Sequence, residues 1–152
     1  PATVSLEACL DEALADLAGE IAGRRAVVAR SPLPSVPGPH DQLGRLLQNL
    51  LSNALKYCDA EPRLSVSAAR EGGLWTVSVA DNGIGIPAPK RESVFGLFER
   101  LHPWEKYEGT GIGLAACRKI VEHHGGRIWI EPAAGPGTTV RFTLPGLSED
   151  PG

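Results

Sequence analysis

Residues 41–57, DQLGRLLQNLLSNALKY, constrain the fold more than any other stretch of the chain. At 100° per residue, Leu43, Leu46, Leu47, Leu50, Leu51, Ala54 and Leu55 fill one broad face of a helix. Gln42, Asn49, Asn53 and Lys56 gather in a narrow polar stripe beside it. So wide an apolar face needs another layer to cover it. Asp41 is placed to cap this helix, which runs to about Tyr57.

Strands supply that layer. Segments 64–68 and 74–79 alternate apolar and polar residues around Glu71-Gly72-Gly73, which predicts a hairpin with one buried face. A short apolar strand at 26–29 ends in the turn Ser31-Pro32-Leu33-Pro34, and strands at 128–130 and 138–144 flank a Gly-Pro-Gly turn. Over 5–22, Leu6, Cys9, Leu10, Ala13, Leu14, Leu17 and Ile21 recur at helical spacing. A further helix starts near Gly111 and is stopped by Gly125 and Gly126. Helices and strands mix without strict alternation. The expected fold is α+β, a two-layer sandwich in which about three helices cover one face of a mixed sheet.

Composition narrows the function. A net charge of −3 argues against a nucleic-acid domain, which usually carries a basic face. The longest apolar runs are far short of a membrane span, and no signal peptide opens the chain. Cys9, Cys58 and Cys117 lie far apart, without metal-ligand spacing, and read as small buried hydrophobes in a reducing, cytoplasmic setting. The chain has 152 residues and no methionine, which hints at a piece of a longer protein.

Four segments carry chemistry. In Asn49–Tyr57, two amides and an ammonium on one stripe suit a Mg²⁺-bound polyphosphate, because a hard cation takes amide oxygen and Lys56 offers a point charge. Taken alone, the stripe also reads as the polar edge of a surface helix. Asp81-Asn82-Gly83-Ile84-Gly85-Ile86-Pro87 follows a strand, where a carboxylate can receive the amine of adenine and glycines allow close approach. A plain Asx-Gly turn explains that segment equally well. Gly109-Thr110-Gly111-Ile112-Gly113-Leu114 opens a helix and can cradle phosphate with exposed N–H groups, although no Gly-Lys-Ser/Thr follows. Gly135-Pro136-Gly137-Thr138 is mostly a tight turn, with Thr138 its one candidate site residue. Between the second and third segments lie more than twenty residues containing Phe95, Phe98, Arg100, His102, Trp104, Lys106 and Tyr107. So long a connection is usually a lid or binding loop, in which Arg100 or Lys106 reaches phosphate oxygens.

In this order, the segments resemble the catalytic ATP-binding domain of sensor histidine kinases, with the Bergerat ATP-binding fold shared by gyrase, Hsp90 and MutL. The resemblance runs from about Asp41 to Leu144. Asn49–Tyr57 is similar to the asparagine box, and Asp81–Gly85 to the first glycine box. Val94–Phe98 is similar to the phenylalanine box, Gly109–Leu114 to the second glycine box and Gly137–Phe142 to the last. It implies that Asn53 ligates Mg²⁺ with Asn49 beside it, that Lys56 contacts phosphate, and that Tyr57 packs along the nucleotide. It also implies that Asp81 binds the adenine amine with Thr138 behind it. Gly83, Gly85, Ile86 and Phe98 join the nucleotide site, and Gly109, Thr110, Gly111, Ile112, Gly113 and Leu114 wrap the phosphates. The lid sequence Glu99-Arg100-Leu101-His102, with Tyr107, looks most like phytochrome-type kinases.

The resemblance further implies ATP and Mg²⁺ as cofactors, and a response regulator as eventual partner. The phosphoacceptor is a His on a separate dimerising helical hairpin, expected upstream of Pro1. Residues 1–147 would then be the catalytic domain and 148–152 a tail, monomeric when alone. None of His40, His102, His123 and His124 lies in a helical-hairpin setting. At position 49, ATP-hydrolysing relatives use a carboxylate as general base. A neutral amide cannot take up that proton, so Asn49 favours transfer to an imidazole. A stand-alone serine kinase of the anti-sigma-factor type, or a nucleotide-binding module without phosphotransfer, are the alternatives.

Overall fold

The computed structural model describes residues 3–56, 58, 60–83, 113–132 and 137–147. Its elements run β1 (Thr3–Ser5), α1 (Leu6–Asp16), α2 (Ala18–Arg24), β2 (Val27–Arg30), β3 (Ser35–Pro37) and α3 (His40–Lys56). They continue with β4 (Arg63–Glu71), β5 (Leu74–Asp81), α4 (Gly113–His123), β6 (Ile128–Pro132) and β7 (Thr138–Pro145). Five strands form a mixed sheet in the order β2-β4-β5-β7-β6, parallel between β2 and β4 and antiparallel elsewhere. A small antiparallel pair, β1 and β3, stands apart from it.

Alternation along each strand decides which face is buried. Val66, Val79, Val140 and Ile130 pair across four neighbouring strands, and Ala68, Val77, Phe142 and Ile128 form the next such row. Against them lies α3, whose Leu43, Leu46, Leu47, Leu50, Leu51, Ala54 and Leu55 are all buried, as the helical spacing predicts. Burying each leucine stabilises the fold by about 1.5–3 kcal/mol. Helices α1 and α4 flank α3, and all three join one core. The opposite sheet face carries Ser65, Ser67, Thr76, Ser78, Thr139 and Arg141 and is not part of that core.

Three local details differ from the sequence expectations. The stretch 5–22 is not one helix: Leu17 leaves helical geometry between α1 and α2. The second piece carries Gly19 and Gly23, which are poor helix formers, and buries no residue fully. Directly after the proline-rich turn comes β3, a strand of three residues, too short to show alternation. Helix α3 starts at His40, so Asp41 lies inside its first turn; Leu43 N–H reaches back to the Pro39 carbonyl, which puts the capping position two residues earlier. As expected, Gly125 (φ +82°) ends α4 with a conformation that disfavours any side chain. Cys9, Cys58 and Cys117 are buried thiols. No helix among the described residues is long and apolar enough to cross a membrane.

Candidate nucleotide site

The helix-facing row of β5 runs Trp75, Val77, Val79 and then Asp81. Its register partners on β7 are Leu144, Phe142, Val140 and Thr138. The apolar row thus ends in a carboxyl and a hydroxyl at one end of the sheet, facing the helix layer. Thr138 is 6% exposed and Gly83 is buried. Asp81 Oδ1 accepts two backbone N–H groups, from Gly83 at 2.8 Å and Thr138 at 3.2 Å. Oδ2 has no partner among the described residues. Burial pushes the Asp81 carboxyl above the usual carboxylate range, and the two N–H donors work against that rise.

A glycine makes this junction possible. Gly137 has φ +116°, and a Cβ there would lie 2.0 Å from the Asp81 carbonyl oxygen. The close approach lets β7 start directly beside the end of β5.

Asn49, Asn53 and Lys56 lie along α3, all half-buried, beside the leucine face. Across from this helix, the buried Cys117 thiol of α4 donates to the Leu46 carbonyl at 3.9 Å, and burial pushes its pKa up to about 12. Lys56 ends the helix, where its charge complements the helix dipole. The donor chemistry fits Mg²⁺: the cation accepts one amide oxygen from protein and fills its shell with phosphate oxygens and water. No group of three or more His, Cys, Asp or Glu able to hold a metal occurs among the described residues. A cation here would depend on Asn53 and on the ligand's own oxygens.

Not every predicted residue is placed. Tyr57, Gly85, Ile86, Phe98, Arg100, Lys106, Gly109, Thr110, Gly111 and Ile112 lie outside the described residues, as does His102. Gly113 is the first residue of α4, and Leu114 packs half-buried against the core. His40 begins α3 and its ring lies between Glu12, at 3.0 Å from Nε2, and the Cys9 sulfur, at 3.8 Å from Nδ1. His123 ends α4, and His124 Nδ1 is 2.7 Å from the Ile120 carbonyl oxygen.

Two residues at the site had no role in the sequence reading. Asn82 Oδ1 accepts the Arg63 N–H at 2.8 Å and the Cys58 thiol at 3.5 Å, while its Nδ2 donates to the Glu61 carbonyl at 3.2 Å. Arg24, at the end of α2, donates from Nη1 to the Leu55 carbonyl and from Nη2 to the Cys58 carbonyl. The one available signal for Asn82 was its position between Asp81 and Gly83. Arg24 left none, because its partners are carbonyls more than thirty residues away.

Comparison with known proteins identifies the family. Residues 38–147 match the family described as histidine kinase-, DNA gyrase B-, and HSP90-like ATPase. Cyanobacterial phytochrome A of Nostoc sp. is 45% identical over 141 residues, covering 92% of this chain and 18% of the relative. The methanogenesis regulatory histidine kinase FilI of Methanothrix harundinacea is 42% identical over 137 residues, covering 88% of this chain and 15% of the relative. The chain thus spans less than a fifth of the length of either protein. Among solved structures, the mycobacterial sensor histidine kinase MprB superposes with a TM-score of 0.82 at 29% identity, covering 95% of this chain and 98% of that one. With the matched residues spanning the asparagine stripe of α3, Asp81 and Thr138, the chain belongs to the histidine kinase-, DNA gyrase B- and HSP90-like ATPase family.

Proposed function

We propose that this domain binds ATP with Mg²⁺ and donates the γ-phosphate to a histidine on a separate dimerising helical domain, for relay to a response regulator. The observation that carries the reading is Asp81: a half-buried carboxyl at the end of a core-facing row, with one oxygen fixed by two N–H groups and the other without a partner among the described residues. That oxygen accepts the adenine amine, and Thr138 closes the pocket behind it. Asn53 offers its amide oxygen to the cation, and Lys56 neutralises phosphate charge. Mg²⁺, when bound, would spread the charge of the phosphate oxygens.

Asn49 sets the type of acceptor. An amide cannot remove a proton from water, so the site is suited to a nucleophile that needs no strong base. A neutral imidazole nitrogen is one. Its nitrogen forms a bond to the γ-phosphorus as the bond to the bridging oxygen breaks, and ADP leaves. The residues of this chain then contribute position and charge neutralisation. Two phytochrome or histidine-kinase relatives at 42–45% identity favour this acceptor over serine. In this reading residues 1–147 form the catalytic unit, and the acceptor domain, like the cytoplasmic setting, belongs to the larger protein.

Labelling with radioactive γ-phosphate tests the proposal. The domain alone should bind ATP without labelling itself, and should label a separately supplied histidine-bearing helical hairpin from a close relative. Self-labelling at His40, His102, His123 or His124 would sink it.

A further inference from the structure

The connection from α3 to β4 joins the two halves of the candidate site. Lys56 ends the helix at one side of it, and Arg63 opens β4, next to Asp81's own strand, at the other. Two side chains from elsewhere grip this connection. The last carbonyls of a helix have no intrahelical partner, and the Leu55 carbonyl is one of them. The Arg24 guanidinium spans it and the Cys58 carbonyl just beyond, using the rigid fork that only arginine offers. Helix α2 packs Ile21 against the core and delivers Arg24 at its end. From the other side, Asn82 holds Cys58, Glu61 and Arg63 through both ends of its amide. Because Asn82 directly follows Asp81, the same tether fixes the turn through which the Gly83 N–H reaches Asp81 Oδ1.

We propose that Arg24 and Asn82 are positioning residues for nucleotide binding, holding the Lys56 end of α3 in register with the Asp81 end of β5. The proposal rests on the ATP reading above. Neither residue need touch the nucleotide. Arg24 sets where the Lys56 ammonium stands, so its loss is felt through phosphate. Asn82 sets both ends, so its loss is felt through base and phosphate together.

Calorimetric titration with ATP and with adenosine, which lacks phosphates, separates positioning from plain stabilisation. Arg24→Ala should weaken ATP about 5–10-fold, the effect of losing one ordinary hydrogen bond's worth of organisation, and adenosine less than about 2-fold. Arg24→Lys keeps the charge but loses the fork, and should recover part of the ATP affinity. Asn82→Ala should weaken both ligands, adenosine about 5-fold and ATP by more than adenosine, because ATP loses organisation at both ends. Urea midpoints measured alongside ensure that each variant is titrated folded; if Arg24→Ala does not fold, the same ATP-to-adenosine ratio in Arg24→Lys decides. Equal losses for ATP and adenosine in the Arg24 variants, or no loss, overturn the proposal alone. Failure of the unaltered domain to bind ATP overturns the nucleotide reading and the proposal with it.

Discussion

Asp81 Oδ1 accepts the backbone N–H of Thr138 at 3.2 Å, and the two residues are also register partners across β5 and β7. The carboxyl that faces the helix layer is therefore built into the sheet rather than carried on a free loop. Rigid strands hold such a group more accurately than loops do.

The junction depends on Gly137. Gly137→Ala forces a side chain into a φ of +116° and places its Cβ against the Asp81 carbonyl. Strained backbone of this kind costs about 1–3 kcal/mol, before any shift needed to relieve the contact. Urea unfolding should show that loss, and ATP affinity should fall with it. A variant as stable as the parent would show that β7 starts differently.

Asp81 should also give nucleotide binding a pH dependence. Its carboxyl is raised above the ordinary aspartate value of about 3.9, because burial disfavours the charged form. The ligand amine needs the deprotonated form, so affinity is full above the folded pKa and is lost as pH falls through it. For the free domain the sign is opposite: a raised pKa contributes stability below the unfolded value, and that contribution disappears as pH rises through the folded value. Adenosine affinity measured from pH 7 downward should decline before the range of an exposed aspartate is reached. A flat profile down to that range would contradict the assignment.

Much of this was legible in residue order. The leucine face of α3 is buried as its spacing predicts, and the alternation of β5 and β7 points Asp81 and Thr138 to the same side as Val79 and Val140. What the sequence could not show were contacts between distant carbonyls and side chains. Arg24 meets Leu55 and Cys58 only once α2 has folded back on α3, and no local pattern encodes that meeting. β3 escaped for a different reason: three residues, the last of them a proline, carry too little periodicity to distinguish a strand from a turn.

Asn53 can be tested separately from the base pocket. An amide-to-methyl change removes the proposed cation ligand while leaving Asp81 in place. Asn53→Ala should therefore weaken ATP binding about 10-fold in Mg²⁺, and little when the metal is chelated by EDTA. Equal losses with and without Mg²⁺ would assign Asn53 a structural part instead.

The most direct measurement is a calorimetric titration of Asp81→Asn with ATP, beside the unaltered domain. The substitution keeps the size of the side chain and removes a charged acceptor worth roughly 1.5–3 kcal/mol, which predicts an affinity loss of about 10–150-fold. A folded Asp81→Asn domain that binds ATP as tightly as the parent would contradict the central claim that this carboxyl holds the adenine.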